Sequence, residues 1–236
     1  MNKNSRTIGI LGGMGPMATV DLFKKIVNES GAERDQDHHK IIIFNNPKIP
    51  SRSEAILKGM NTAFPQLLKS AKTLEAAGAD FIIIPCHTAH YWFRELQDQL
   101  NIPIINMIDN TVNYINSLTK NESQKVLILA TRGTIYSKIF QNEFMIKRIP
   151  YVVPNSEEQE IVSKAIDFTK SNLVETNPYI SKLNNMIDNY ITGNHITCIL
   201  AGCTEISLLL PYLTHKCSKI DSSLLLAKRA INEANQ

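Results

Sequence analysis

The sequence predicts an α/β protein made of two pseudo-symmetric α/β domains with mainly parallel sheets, its active site in the cleft between them. Three observations carry this expectation. Short apolar runs alternate with helix-like segments along the chain, the pattern of parallel strands joined by helices. The pattern restarts near the midpoint, at Val126. Landmarks of the first half then recur in order in the second, at offsets of 112 to 118 residues: Ile128 against Ile10, Cys203 against Cys86, and Asp221 against Asp109. Any α/β unit repeats hydrophobic strands, so the informative match is a cysteine at the same place in both halves.

The elements follow in order. Thr7–Leu11 is an apolar run that stops at a glycine-rich turn, and Pro16 suits the first position of a helix reaching Ser30. Lys40–Phe44 is a second strand. A helix over Met60–Ala77 stops at Gly78. Asp80–Pro85 is a strand leading into Cys86-His87-Thr88, followed by a helix to about Leu100 and a strand near Pro103–Met107. In the second half, Val126–Ala130 is a strand, with a turn and a helix from Thr134. Tyr151–Val153 is a short strand, and helices cover Ser156–Lys170 and Asn177–Tyr190. Ile196–Ala201 is a strand leading into Gly202-Cys203-Thr204. A helix, a strand at Ser218–Ile220 and a helix from Ser222 close the chain. The implied domains are 1–106 plus 220–236, with the last helix returning to the first domain, and 107–219.

Composition excludes several classes. At 236 residues, 43% hydrophobic and 20% charged, the chain can bury a core without staples. A net charge of +3, from 25 basic and 22 acidic residues, offers no basic stripe for nucleic acid, and 7% aromatics offer no stacking platform. The longest apolar runs fall far short of the roughly 18 residues of a membrane span. The apolar stretch after Lys3 and Arg6 is broken by Gly12-Gly13 and Pro16, so it reads as strand and turn and not as a signal peptide. The expected location is the cytoplasm, with no membrane or nucleic-acid partner.

The four cysteines, Cys86, Cys198, Cys203 and Cys217, show no zinc-type spacing, and no disulfide framework is expected in a reducing compartment. Cys198 and Cys217 read as small buried hydrophobes. Cys86 and Cys203 differ, because each follows a buried strand and precedes a helix. Both fall at the carboxyl edge of a parallel sheet, where open α/β folds bind ligands. A helix N-terminus lowers a thiol pKa and offers backbone N–H groups to a carboxylate. Thr88 and Thr204 add hydroxyl donors. Two facing acid–base groups suit stereoinversion: one thiolate removes an α-proton and the opposing thiol returns one to the other face. That chemistry requires neither metal nor pyridoxal phosphate, and no cofactor is implied. Gly13-Met14-Gly15-Pro16-Met17-Ala18 matches a dinucleotide-binding pattern, but the second strand ends Phe44-Asn45-Asn46 without the acid such a site uses. The turn is read as part of a substrate cleft, which Met14 either lines or leaves in order to pack the turn; Thr131, in the corresponding turn of the second half, is a further candidate for binding substrate.

Ile8-Gly9-Ile10-Leu11-Gly12-Gly13-Met14-Gly15-Pro16, Phe44-Asn45-Asn46-Pro47-Lys48-Ile49-Pro50-Ser51-Arg52, Pro85-Cys86-His87-Thr88-Ala89-His90 and Ala201-Gly202-Cys203-Thr204-Glu205 resemble the cofactor-independent aspartate racemases of the aspartate/glutamate/hydantoin racemase superfamily. The resemblance covers nearly the whole chain. It implies two similar α/β domains, commonly a homodimer, and an amino-acid substrate, aspartate or glutamate. The family's catalytic cysteines fall on Cys86 and Cys203. Its arginine for the substrate's side-chain carboxylate falls on Arg52, where a bidentate contact is chemically sensible. Its lysine falls on Lys170 after a one-residue slip, with Lys164 on the same helix as the alternative.

Two positions depart from the family. His87 stands where asparagine, which helps hold the α-carboxylate, is usual; a neutral His87 can also donate one hydrogen bond to the substrate, and a protonated one would stabilise a Cys86 thiolate. Ser51 stands where an acid is common. His90 and Glu205 read as supporting residues or as helix-start residues at the rim. The alternatives to an aspartate racemase are another reaction of the superfamily (hydantoin racemase, decarboxylase or maleate isomerase) and a catalytically silent dicarboxylate-binding protein.

Overall fold

Strands and helices alternate through two units, Met1–Asn110 with Ser223–Gln236, and Thr111–Ser222. The computed structural model describes residues 5–118, 125–171 and 174–236. In the first unit the elements are β1 (Ile8–Gly12), α1 (Pro16–Glu29), β2 (Ile41–Asn45), α2 (Arg52–Leu57), α3 (Phe64–Ala76), β3 (Phe81–Ile83), a 3-10 turn at His87–Trp92, and α4 (Phe93–Gln97). Helix α5 (Met107–Leu118) carries the chain into the second unit. There follow β4 (Val126–Leu129), α6 (Arg132–Ser137), α7 (Ile139–Ile146), β5 (Tyr151–Val152), α8 (Ser156–Lys170), α9 (Ile180–Asn194), β6 (Cys198–Ala201), α10 (Thr204–Leu209) and β7 (Ser218–Asp221). Helix α11 (Ser222–Ala234) ends the chain in the first unit.

Both sheets are parallel and share one strand order. The first runs β2-β1-β3, and an isolated parallel bridge from Ile82 to Ile104 extends it beside β3. The second runs β5-β4-β6-β7. The strand that leads to a cysteine, β3 or β6, therefore pairs with the first strand of its unit in both cases. This repeat of topology is the structural counterpart of the repeated sequence landmarks.

Several boundaries differ from the sequence reading. Pro103–Met107 is not a strand. Pro103 and Ile105 make one bonded rung with Ile82, and Met107 already begins α5. The segment expected as one helix from Met60 is non-helical as far as Ala63, and Pro65 sits in the first turn of α3, where its missing N–H costs nothing. After Cys86 the chain makes a 3-10 turn before the short α4. The domain boundaries move as well. β7 hydrogen-bonds β6, so the chain rejoins the first unit at Ser223 and not at 220, and it leaves that unit after Asn110, inside α5.

Period-two alternation explains the layering of the first sheet. Ile8, Ile10, Phe81 and Ile83 face one side, buried against Leu22 and Ile26 of α1 and Leu226, Ala227 and Ala230 of α11. Leu11, Ile82 and Ile84 face the other, against Leu67, Ala71 and Leu74 of α3 and Leu96 of α4. The amphipathic α11 thus returns because its apolar stripe completes the first core, and Arg6 pairs with Glu233 to hold it there. In the second unit, Leu127, Leu129, Ile199 and Ala201 pack on α8, α9 and α10. Helix α8 starts at a capping box, in which Asn155 accepts from the Glu158 N–H and Glu158 accepts from the Asn155 N–H.

Candidate active site

Each sheet delivers one cysteine from the strand that pairs with the first strand of its unit. Cys86 follows β3 and Cys203 follows β6. Both occupy the N-cap of the next helical turn with extended backbone, and each is 5% exposed. The turns repeat in detail, since Ala89 N–H donates to the Cys86 carbonyl at 3.2 Å and Ile206 N–H to the Cys203 carbonyl at 3.0 Å. All four cysteines are free thiols. Cys198 lies within β6, where burial pushes its pKa up to about 11, in keeping with a structural role.

In the first unit, His87 and Thr88 are buried directly after Cys86. His87 is 2% exposed, and burial, with His90 nearby, pulls its pKa down to about 3. The side chain is neutral at neutral pH, the form that can donate one hydrogen bond but brings no positive charge to Cys86. Helix α2 packs against the His87–Trp92 turn and brings Arg52, its first residue, to this region. The Arg52 guanidinium is fixed by backbone carbonyls: Nη1 donates to Ile49 and Pro50, both at 3.0 Å, and Nη2 to Met14 at 3.4 Å. That contact ties Arg52 to the glycine-rich turn. Met14 is buried there, and Gly13 explains why the turn needs glycine. Gly13 has φ +96°, and a Cβ on it would lie 2.3 Å from the backbone of Asn46. The close approach that glycine permits is made to the end of β2, which accounts for the motif without a dinucleotide.

In the second unit, Cys203 Sγ donates to Glu205 Oε2 at 2.9 Å, and Thr204 Oγ1 donates to the same oxygen at 3.3 Å. Glu205 is 3% exposed. Burial and the adjacent Glu205 carboxylate push the Cys203 pKa well above its ordinary value, while Lys170 acts in the opposite direction. The lowered pKa expected from a helix N-terminus is not found at Cys203. α10 has only six residues, and a desolvated thiol beside an acid outweighs so short a helix. Lys170 ends α8, the helix against which α10 packs. Burial lowers its pKa, but Cys203, Glu205 and Asp167 outweigh this and hold it above the ordinary value. Its ammonium bonds Asp167 at 2.9 Å, and the side chain stays 42% exposed. Lys164 pairs with Glu160 on an exposed face, so of the two lysines it is Lys170 that interacts with Cys203. Thr131 caps α6, accepting from Thr134 N–H at 3.2 Å, and the neighbouring Ala130 carbonyl accepts from buried Gln159 at 3.0 Å.

Of the two readings open for Glu205 and His90, supporting residues or helix-start residues at the rim, the rim reading fails, since both are buried. Glu205 is instead the direct partner of Cys203. His90 is buried, its ring Nδ1 2.9 Å from the Cys86 carbonyl. The available signal was spacing, because both residues fall within one turn of a cysteine. As a chemical arrangement, the two units hold two thiols at equivalent places, a carboxylate bonded to one of them, and two cations, Arg52 and Lys170, on helices packed against the cysteine turns.

Comparison with known proteins gives a consistent result. The Asp/Glu/Hydantoin racemase family model matches residues 11–230. The chain is 27% identical over 231 residues to the broad specificity amino-acid racemase RacX of Bacillus subtilis (strain 168), covering 95% of this chain and 96% of that protein. Among solved structures it is similar to the aspartate racemase of Picrophilus torridus, with a TM-score of 0.83 and 32% identity over 97% of this chain and 94% of the other. It is also similar to an aspartate racemase homologue from Pyrococcus horikoshii OT3, with a TM-score of 0.77 and 25% identity over 98% and 100% of the two chains.

Proposed function

Because the chain belongs to the Asp/Glu/hydantoin racemase family, we propose that it is an amino-acid racemase acting on aspartate, moving the α-proton between Cys86 and Cys203 without pyridoxal phosphate. The observation that carries this reading is the repeated turn: a buried cysteine, at the same N-cap and with the same carbonyl hydrogen bond, at the end of the equivalent strand of each sheet.

In this scheme one cysteine is a thiolate and the other a thiol. The thiolate takes the α-proton, so the Cα–H bond breaks and an S–H bond forms. The electron pair passes into the carboxylate as an enediolate. The second thiol then gives its proton to the opposite face of Cα and becomes the thiolate. Protons balance, and the two cysteines have exchanged states. Reaction in the opposite direction restores them. Cys203, held as a thiol by burial and Glu205, is suited to be the donor in the first direction. When it acts as base it does so as the thiolate left by that step, a form that Lys170 favours. The hydroxyls of Thr88 and of Thr204, the latter turning away from Glu205, would donate to charge developing on the α-carboxylate, where hydrogen bonds that strengthen in the transition state accelerate the reaction. Arg52, already oriented by three carbonyls, would receive the side-chain carboxylate, with Lys170 as the second cation.

The test is chiral chromatography of the purified, reduced protein incubated with single enantiomers of aspartate, glutamate and several neutral amino acids. The reading expects aspartate to racemise fastest from both enantiomers. Neutral amino acids racemising faster would overturn the substrate and favour the broad specificity named for RacX. Absence of racemisation on all of them would overturn the activity.

A further inference from the structure

We propose that His90 is a positioning residue for Cys86: its ring replaces a backbone hydrogen bond that the first cysteine turn lacks, and so fixes the thiol-bearing residue to the start of α5. The inference rests on the reading of Cys86 as an acid–base group, and it comes from comparing the two turns.

At Cys203 the chain enters an α-helix, and the Cys203 carbonyl accepts from Ile206 N–H at 3.0 Å and Ser207 N–H at 3.2 Å. At Cys86 the chain enters a 3-10 turn, in which the bond from Ala89 N–H at 3.2 Å is retained. The second bond comes from a side chain. His90 occupies the position equivalent to Ser207, and its Nδ1 lies 2.9 Å from the Cys86 carbonyl. The other ring nitrogen settles the direction. The ring also meets the Ile105 backbone, but Met107 N–H donates to Nε2 at 3.1 Å, which makes Nε2 an acceptor and puts the proton on Nδ1, facing Cys86. Burial pulls the His90 pKa down to about 4, so this neutral tautomer persists at working pH. The ring lies parallel to Phe93 with centroids 6.2 Å apart, and the residue is 5% exposed, which leaves it little freedom to reorient. Met107 is the first residue of α5, so one imidazole satisfies a donor at that helix start and holds the cysteine carbonyl at the same time.

Proton transfer to or from carbon depends steeply on placement of the thiol, so this bond should matter to the transition state more than to substrate binding. Two variants separate hydrogen bonding from packing. His90→Phe keeps an aromatic ring beside Phe93 and loses both bonds. His90→Gln loses the ring but can donate to Cys86 and accept from Met107. The readouts are kcat and KM for racemisation, and the rates at which Cys86 and Cys203 are alkylated by iodoacetamide, resolved by peptide mass spectrometry. The proposal expects His90→Phe to lower kcat at least tenfold with KM changed less than threefold, and to change the alkylation rate of Cys86 but not of Cys203. It expects His90→Gln to recover most of both effects. A His90→Phe protein with parent kcat and parent Cys86 reactivity would overturn it. So would His90→Gln losing as much as His90→Phe, or both cysteines changing together, which is the mark of general loosening. Alkylation needs no turnover, so a parent protein that fails to racemise overturns the proposed function while the contrast between Cys86 and Cys203 still tests the positioning.

Discussion

The thiol of Cys203 donates to Oε2 of Glu205 across 2.9 Å, with both residues buried. A carboxylate so close to a desolvated thiol favours the protonated sulfur, and Lys170 is the nearby positive charge working against it. The balance of these two neighbours sets when Cys203 can change protonation state. Cys86 has no equivalent acid, since the residue two positions after it is Thr88. The two cysteines are thus alike in backbone, and the acid two residues on is found only after Cys203.

Glu205→Gln should move the pH profile of Cys203 alkylation to lower pH, because the variant removes an influence that raises the thiol pKa. Lys170→Met should move it to higher pH. Labelling across pH 6–10, with Cys86 as internal reference, measures both shifts. Unchanged profiles would mean that neither neighbour governs Cys203.

Cys86→Ala and Cys203→Ala should each reduce racemisation by about 10²- to 10⁴-fold, the range typical of losing a general acid or base. Circular dichroism and thermal melts should remain close to those of the parent, since a small buried side chain is lost in each case. Either variant racemising at the parent rate would remove that cysteine from the chemistry.

Arg52→Ala should raise KM for aspartate by about 10- to 100-fold, the equivalent of one charge-assisted contact worth about 1.5–3 kcal/mol. Its effect on neutral amino acids should be small. Steady-state kinetics on aspartate and alanine together check this, and equal losses on both would assign Arg52 to holding the turn at Met14 instead.

Acid should destabilise the fold through two buried histidines. His87 and His90 titrate at about 3 and about 4 in the folded protein, against an ordinary value near 6.5 in the unfolded chain. Below pH 6.5 the unfolded state binds more protons than the folded state, so stability falls as pH falls until the folded values are reached. Each histidine contributes roughly 1.4 kcal/mol per pH unit across that window. Urea unfolding at pH 7, 6 and 5 should show a smaller decline for His87→Asn than for the parent, and parallel declines would contradict the assignment.

Much of this was legible in the sequence for a physical reason. Alternating apolar runs specify parallel strands, and a cysteine recurring after the equivalent strand marks the sheet edges where ligands bind. Arg52 and Lys170, the latter with Lys164 as alternative, are what the family resemblance implies, and the structure packs both of their helices against the cysteine turns. What stayed hidden depended on tertiary surroundings. The neutrality of His87 follows from burial, which no local pattern reveals. The raised pKa of Cys203 required knowing that Glu205 turns inward, although a glutamate at a helix start ordinarily faces water. The role of His90 depended on a 3-10 turn and on Met107, seventeen residues away in sequence. The strand expected at Pro103–Met107 shrank to one rung because α5 begins at its end.

The most direct test of the two-cysteine account is where deuterium goes when a single enantiomer of aspartate reacts in deuterated water. The sample would be quenched at low conversion, and substrate and product separated on a chiral column before mass analysis. Two separate bases predict a product that carries deuterium at Cα, while the recovered substrate remains almost wholly protiated, from either enantiomer. Deuterium entering the recovered substrate as fast as the product would show one base serving both faces, and would contradict the assignment of Cys86 and Cys203 to opposite sides of the reaction.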